Sequence, residues 1–471
     1  MTLHDTFLPS PLLVLSAGIM LMLAGMAWRR SVVRGLSIGL VTELVALCVV
    51  TRHTGTVPDG STGLFIQDRW TAFTAMLVLF SSACILLMSW RDLTDDGARP
   101  AEEYPLLLLL GTLGATAMVF SASYVPFFLG LEIVGISLMG LVAFNHRHFM
   151  RGCEAAMKYL ILSGLSSAVL LFGMGLAYAL TGSLRFAPPI PADGMPPAMA
   201  MVATVMILVG MFFKLSVVPF HMWLPDVMEG APLPVAAFIA VVSKIAIFSA
   251  FVRYFGTGSL PPALNGVLYA VIILTILGGN LLALRQSSLT RLMACSSIAH
   301  VGYLLIAFLS PGPLQPGVIT VYLVAYTVTT LGVFAVMCAC IPSVSPNGAA
   351  IVQWGGLFFT RPFMATAMSL MLLSLAGIPP GIGFFAKIGI AATGVARQRD
   401  LLLGALVTGS IMGLYYYLNI IRVMMKAPAT PATKTAWRME PELTTLVIVL
   451  TMIVVIGGLF PARIIHPFLP G

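Results

Sequence analysis

A helix that crosses the hydrocarbon core of a bilayer needs about 20 consecutive apolar residues, and this chain strings together roughly fourteen such runs. They fall near residues 11 to 28, 33 to 50, 71 to 90, 105 to 121, 124 to 144, 157 to 180, 198 to 219, 231 to 252, 264 to 284, 292 to 310, 317 to 341, 362 to 395, 401 to 421 and 443 to 460. A closed β-barrel is the other structure that satisfies every backbone polar group inside lipid. Its strands alternate apolar with polar residues, and the run ProLeuLeuLeuLeuLeu from Pro105 does not. The expected fold class is therefore all-α, a polytopic membrane protein of about 14 transmembrane helices. Composition closes the alternatives. Asp, Glu, Lys and Arg make up 9% of the 471 residues and the hydrophobic class 59%, whereas a soluble domain carries about 25% charge. Disorder needs the opposite balance. The net +8 comes from scattered cations, not from the dense basic stretch that phosphate binding requires. The first run follows only ten residues, with no small-residue cleavage site leading into a soluble domain, so it reads as a helix that stays.

Lysine and arginine in the connectors set orientation. With both termini outside, the inside connectors hold fourteen cations and the outside ones seven, which favours that topology. Fourteen and seven leave four of the 25: Lys158, Lys214, Lys244 and Lys387, all inside or at the edge of apolar runs.

A lysine at the centre of a membrane helix costs about 2.5 to 3.5 kcal/mol on insertion scales. Lys244, in AlaValValSerLysIleAlaIlePhe, lies some thirteen residues into its run, or about 20 Å at the helical rise, so it reads as an ion-pathway residue or as a structural cation bonded to carbonyls. Lys214 lies five residues before Pro219, and a proline at that depth breaks the helix. Broken backbone inside a membrane is tolerated where it lines a cavity or is buried in protein. Pro379 and Pro380 with nearby glycines interrupt a second run just ahead of Lys387. These are the seventh and twelfth runs, and an odd separation puts them in opposite orientations, as an inverted repeat requires. The bland reading is two unrelated proline kinks. Glu132, eight residues into the fifth run, needs a cation to stay charged, and Lys214 is the expected partner. That pair either forms and breaks, passing a proton onward to Lys244, or is a static packing contact.

Weaker signals accompany these. Glu154 and Lys158 stand four apart, Glu first, as a local pair on a helix surface. His300, about nine residues into the tenth run, is either a proton relay or a satisfied structural histidine. Glu43, in the middle of the second run, is an additional relay, a contact to another subunit, or near a watery edge. His221, Asp226 and Glu229 read as a proton-uptake point near the inner surface or as a solvated connector. The six cysteines show no metal or cluster spacing and read as packing residues. No Walker or dinucleotide glycine motif occurs, so nothing suggests that the chain binds a nucleotide or carries electrons.

Four segments carry a resemblance: PheLysLeuSerValValProPheHisMetTrpLeuProAsp from Phe213, GluGlyAlaProLeuPro from Glu229, ArgGlnSerSerLeuThrArgLeuMetAlaCysSerSerIleAlaHisValGlyTyr from Arg285 and LeuSerLeuAlaGlyIleProPro from Leu373. They resemble the antiporter-like membrane subunits of the proton-pumping NADH:quinone oxidoreductase, respiratory complex I. MetLysTyrLeuIleLeuSerGly from Met157 and MetGlyLeuTyrTyrTyrLeu from Met412 bring the chain closest to the subunit N branch. The similarity runs over about residues 105 to 425; outside it only hydropathy and length match. The resemblance implies N-terminal helices 1–3 over residues 1–104, inverted five-helix repeats over 105–255 and 256–425 with broken helices 7 and 12, and a last helix over 426–471. By motif position it implies that Glu132, Lys214, Lys244 and Lys387 form the proton path; lysine at 387 fits subunit N or its largest sibling, and the chain ends too soon for that sibling's lateral helix. Glu43 departs from the pattern. The resemblance further implies a translocase subunit of a bacterial inner membrane, without a cofactor of its own. NADH, FMN, iron–sulfur clusters and quinone are expected on partner subunits, and a sibling antiporter-like subunit, small membrane subunits and lipid as neighbours. A subunit of a multi-chain cation/proton antiporter or of a hydrogenase-type membrane complex shares the same residues and stays open. A pure scaffold is disfavoured by the cost of four intramembrane lysines, about 10 kcal/mol or more in total.

Overall fold

The computed structural model describes residues 10–53, 60–61, 63–94, 102–144, 149–189, 197–256, 262–344, 350–379, 381–427 and 441–460. Pro380 and five of the connector cations counted above, Arg99, Arg147, Lys434, Arg438 and Arg463, lie outside the described residues.

In chain order the helices are α1 (Ser10–Trp28), α2 (Val32–His53), α3 (Arg69–Thr94), α4 (Glu103–Phe120), α5 (Tyr124–Ala143), α6 (Phe149–Thr181), α7 (Pro197–Leu215), α8 (Trp223–Gly230), α9 (Leu233–Phe238), α10 (Lys244–Phe255), α11 (Asn265–Leu284), α12 (Leu289–Phe308), α13 (Gln315–Val344), α14 (Leu357–Thr360), α15 (Pro362–Ala376), α16 (Ile382–Ala396), α17 (Asp400–Met425) and α18 (Pro441–Leu459). A π-helical stretch, Ile239–Ser243, joins α9 and α10 into one 23-residue span. Between α2 and α3 two residue pairs form a minimal antiparallel ladder, β1 (Gly60–Ser61) against β2 (Ile66–Gln67), with Gly60 opposite Gln67. Among the described residues thirteen helices are long and apolar enough to cross a membrane. The run at 362–395, expected to be interrupted, is two 15-residue helices, α15 and α16.

Boundaries follow local chemistry. Ser123 and Ser288, in extended conformation, accept from the amides of Val125 and Arg291 and so start α5 and α12. Pro362 and Pro441 occupy first helical positions, where no amide hydrogen is needed. The expected run 198–219 stops early because α7 ends at Leu215, ahead of Pro219, as helices end before the residue preceding proline. The expected run 157–180 is too short: α6 has 33 residues and carries Glu154 and Lys158 on its first turns.

The chain divides into two compact units, Met1–Leu215 with Gly230–Gly256, and Ser216–Glu229 with Thr257–Gly471. In the first, the span Leu233–Phe255 is 94% buried, whereas α1 and α2 are 33% buried. In the second, the spans in α12 and α13 are 94% buried and those in α17 and α18 39%. Each unit thus wraps an enclosed helix in others that turn apolar side chains outward. Leu13, Met20 and Leu21 on α1, and Leu401, Val407 and Ile411 on α17, are exposed, which lipid accommodates and water does not.

Candidate functional site

In the first unit the enclosed span carries Lys244 at its midpoint, with eleven residues on either side, about 16 Å of helix. The side chain is buried and follows directly on the π-helical stretch. Such bulges re-aim side chains and concentrate at functional positions.

Lys214 is the penultimate residue of α7 and is buried. Its Nζ donates to the Ser163 hydroxyl of α6 at 2.6 Å. Tyr159, one helical turn before Ser163, is hydrogen-bonded to the same hydroxyl and feels the Glu132 carboxylate of α5. Glu132 acts on Lys214 through space, but its Oε1 is buried without a hydrogen-bond partner. The expected Glu132–Lys214 pair is thus not a hydrogen-bonded one: the lysine donates to Ser163, and the Glu132 charge acts on it through space. Immediately beyond α7, Ser216 adopts φ +60, the left-handed region that breaks a helix.

Glu154 and Lys158 form the expected i,i+4 pair at 2.8 Å, both largely exposed on α6, worth about 0.2–0.5 kcal/mol. Glu43 on α2 is completely buried against Ser82 of α3 and Thr112 of α4.

In the second unit α15 ends on Gly377 at φ +86, whose amide and that of Ile378 fold back on the last carbonyls. This Schellman-type end needs glycine. It leaves the Ala376 carbonyl free, and Lys387 Nζ donates to it at 2.9 Å. Cation and negative helix end thus meet at the interruption. Across it, the Gly383 amide donates to the Ser374 hydroxyl at 3.1 Å. Lys387 Nζ also lies 5.2 Å from the centre of the Tyr303 ring, within cation–π range.

His300, buried on α12, is within hydrogen-bond distance of two tyrosines: Nδ1 is 2.7 Å from the Tyr322 hydroxyl and Nε2 is 3.5 Å from that of Tyr417. Ser296 meets the Tyr417 hydroxyl, and Ser297 meets that of Tyr326 at 2.6 Å. His300, Tyr322, Tyr326, Thr329, Ser374 and Lys387 line one small cavity of about 10 Å³. Histidine and lysine, 87 positions apart in sequence, thus border the same space.

His221 follows α7 in the turn before α8, and its Nδ1 is buried without a hydrogen-bond partner. Asp226 and Glu229 on α8 are clasped by Arg291 of α12, whose Nη1 donates to both carboxylates at 2.9 and 2.8 Å. Gln286 accepts from the Arg291 Nε at 3.3 Å. The two acids and Arg291 form a charged clasp, each side chain about a third exposed.

Ser163, Tyr159 and the tyrosines at 322, 326 and 417 were missed by sequence reasoning. One signal was available: polar residues at helical spacing, Tyr159 with Ser163, Tyr322 with Tyr326, and Ser296 and Ser297 with His300. Among the described residues no group of three or more His, Cys, Asp or Glu is placed to hold a metal ion. The arrangement offers buried cations, hydroxyls and an imidazole, which is equipment for moving protons.

Residues 121–413 match the model of the NADH:quinone oxidoreductase/Mrp antiporter transmembrane family. A protein of Acinetobacter baumannii described as NADH-quinone oxidoreductase subunit N is 36% identical over 97% of this chain and 93% of its own length. A Chromohalobacter salexigens protein of the same description is 37% identical over 97% of each. Among solved structures, a chain of respiratory complex I from Thermus thermophilus superposes with a TM-score of 0.81 at 27% identity, over 97% of this chain and 98% of that one. A chain of the Mrp complex from Dietzia sp. reaches 0.85 at 20% identity, over 99% of this chain and 96% of that one, and shows likeness of fold alone.

Proposed function

Because this chain belongs to the NADH:quinone oxidoreductase/Mrp antiporter transmembrane family, on the subunit N branch, we propose that it is the proton-translocating membrane subunit N of an NADH:quinone oxidoreductase. Redox chemistry proceeds on partner subunits, which hold NADH, FMN, iron–sulfur clusters and quinone, and this chain converts its energy into proton movement. The single observation that carries the reading is buried Lys244 at the midpoint of an enclosed span. An ammonium group there costs about 2.5 to 3.5 kcal/mol.

A change in charge or hydration near Glu132 acts on Lys214 through space. Lys214 and Lys244 then serve the first transfers, and His300 and Lys387, sharing a small cavity with three tyrosine hydroxyls near by, serve the last, releasing the proton outside. The two interruptions, after Lys214 and ahead of Lys387, support the reading of 105–255 and 256–425 as inverted repeats between helices 1–3 and the last helix. The connector cations favour both termini on the external face of a bacterial inner membrane. The neighbours are the other membrane subunits, a sibling antiporter-like chain among them, and lipid. His221, Glu154 and Lys158 are accessory at most: the pair on α6 is exposed and self-satisfied.

The rival reading, a subunit of a cation/proton antiporter, shares the fold. Purification of the chain from its native membrane separates the two. We expect the subunits of a peripheral redox arm to co-purify; antiporter subunits without such an arm would overturn the proposal.

A further inference from the structure

Glu43 stands outside the lysine scheme. It occupies the middle of α2, fully buried, with no ion pair among the described residues. Three oxygen contacts run away from it. Glu43 Oε1 is 2.5 Å from Ser82 Oγ of α3, Ser82 Oγ is 2.5 Å from Thr112 Oγ1 of α4, and Thr112 Oγ1 is 2.9 Å from the Leu108 carbonyl oxygen. Each is of hydrogen-bond length, so each needs a hydrogen between its two oxygens.

The hydrogens can be counted. The two hydroxyls carry one apiece, a carbonyl carries none and a carboxylate carries none. An ionised Glu43 therefore leaves two hydrogens for three contacts, with one pair of oxygens meeting lone pair to lone pair. A protonated Glu43 supplies the third. When Thr112 donates to the Leu108 carbonyl, which only accepts, Ser82 donates to Thr112 and the Glu43 O–H donates to Ser82; an ionised Glu43 would instead accept from Ser82 and leave one contact without a hydrogen. The 3.3 Å approach of Thr112 to Oε1 is the long edge of the triangle and does not alter the count. The second carboxyl oxygen agrees. Oε2 is buried without a hydrogen-bond partner, which costs a neutral carbonyl oxygen far less than it costs half of a buried charge. Glu43 acts through space on the Cys84 thiol of α3, which lies outside this chain of hydrogen bonds.

We propose that Glu43 is a proton-binding site of the N-terminal helices, separate from the lysine groups and occupied by a proton in this structure, with Ser82 and Thr112 as its hydrogen-bond chain. The inference rests on the packing of α2, α3 and α4 and not on the redox reading, so either can fail alone.

Infrared difference spectra of the intact parent complex test it, wild type against Glu43→Gln. Glutamine keeps the volume and offers an amide N–H to Ser82, so assembly is retained. The expected result is loss of one protonated-carboxyl C=O band, sensitive to deuterium exchange. Ser82→Ala, which removes the acceptor but leaves Glu43 in place, displaces the same band without abolishing it, and this second variant decides the matter even if the first fails to assemble. Loss of carboxylate bands in Glu43→Gln, or no displacement in Ser82→Ala, overturns the proposal.

Discussion

Lys244→Met in the intact parent complex is expected to lower coupled NADH:quinone turnover by about 10²-fold, the scale on which a positioned proton-transfer group contributes, while the complex still assembles. The two halves of this expectation have different physical origins. Methionine preserves the length of the apolar stem and removes an ammonium group whose placement at the middle of a 23-residue span is unfavourable, so the helix packs no worse. What disappears is a group that takes up and releases a proton where neither interface is within reach. Activity is read in sealed native membranes and assembly on native gels. Full turnover in an assembled variant would show that Lys244 is a structural cation.

Gly383→Ala is expected to remove the subunit from the assembled complex. Gly383 is the second residue of α16, and its amide is held by the Ser374 hydroxyl across the interruption. A Cβ built there meets the Ser374 carbonyl oxygen at 1.9 Å and its carbon at 2.8 Å. Both are backbone atoms, so no rotamer relieves the contact. α16 has to move off α15, and Lys387 moves with it, losing the Ala376 carbonyl and the cavity shared with His300. Overpacking costs about 1–3 kcal/mol when a core yields and more when it does not. Gly164→Ala on α6 is the control: a Cβ there meets nothing within 4 Å, and we expect normal assembly. If both variants assemble equally, the close approach of α15 and α16 is not needed.

Much of this architecture is legible in the sequence because lipid makes charge conspicuous. Lys244 and Lys387 stand out in apolar runs, and the interruptions announce themselves through Pro219, Gly377 and Pro379. Less legible is whatever depends on which helix meets which. Glu132 is matched to Lys214 by sign of charge, but a serine hydroxyl on a third helix is nearer to the lysine, and serine in a membrane run carries no such flag. The tyrosines around His300 read as packing until α13 and α17 place their hydroxyls beside the imidazole and its serine neighbours. The partners of Glu43 are a serine and a threonine on two other helices, 39 and 69 positions away, and hydroxyls of that kind usually bond to their own helix backbone. Run lengths mislead too: hydropathy stops at the polar first turns of α6, whereas the backbone continues through the Glu154–Lys158 pair.

The central claim is that Lys244 carries a proton rather than a charge, and arginine separates the two, since its guanidinium stays protonated under all conditions in a protein. The decisive measurement is the number of protons translocated per NADH oxidised by the purified parent complex in sealed vesicles, wild type against Lys244→Arg. The account predicts a lower ratio, or loss of coupled turnover altogether, in an assembled variant that keeps the positive charge. An unchanged ratio at unchanged turnover would contradict it.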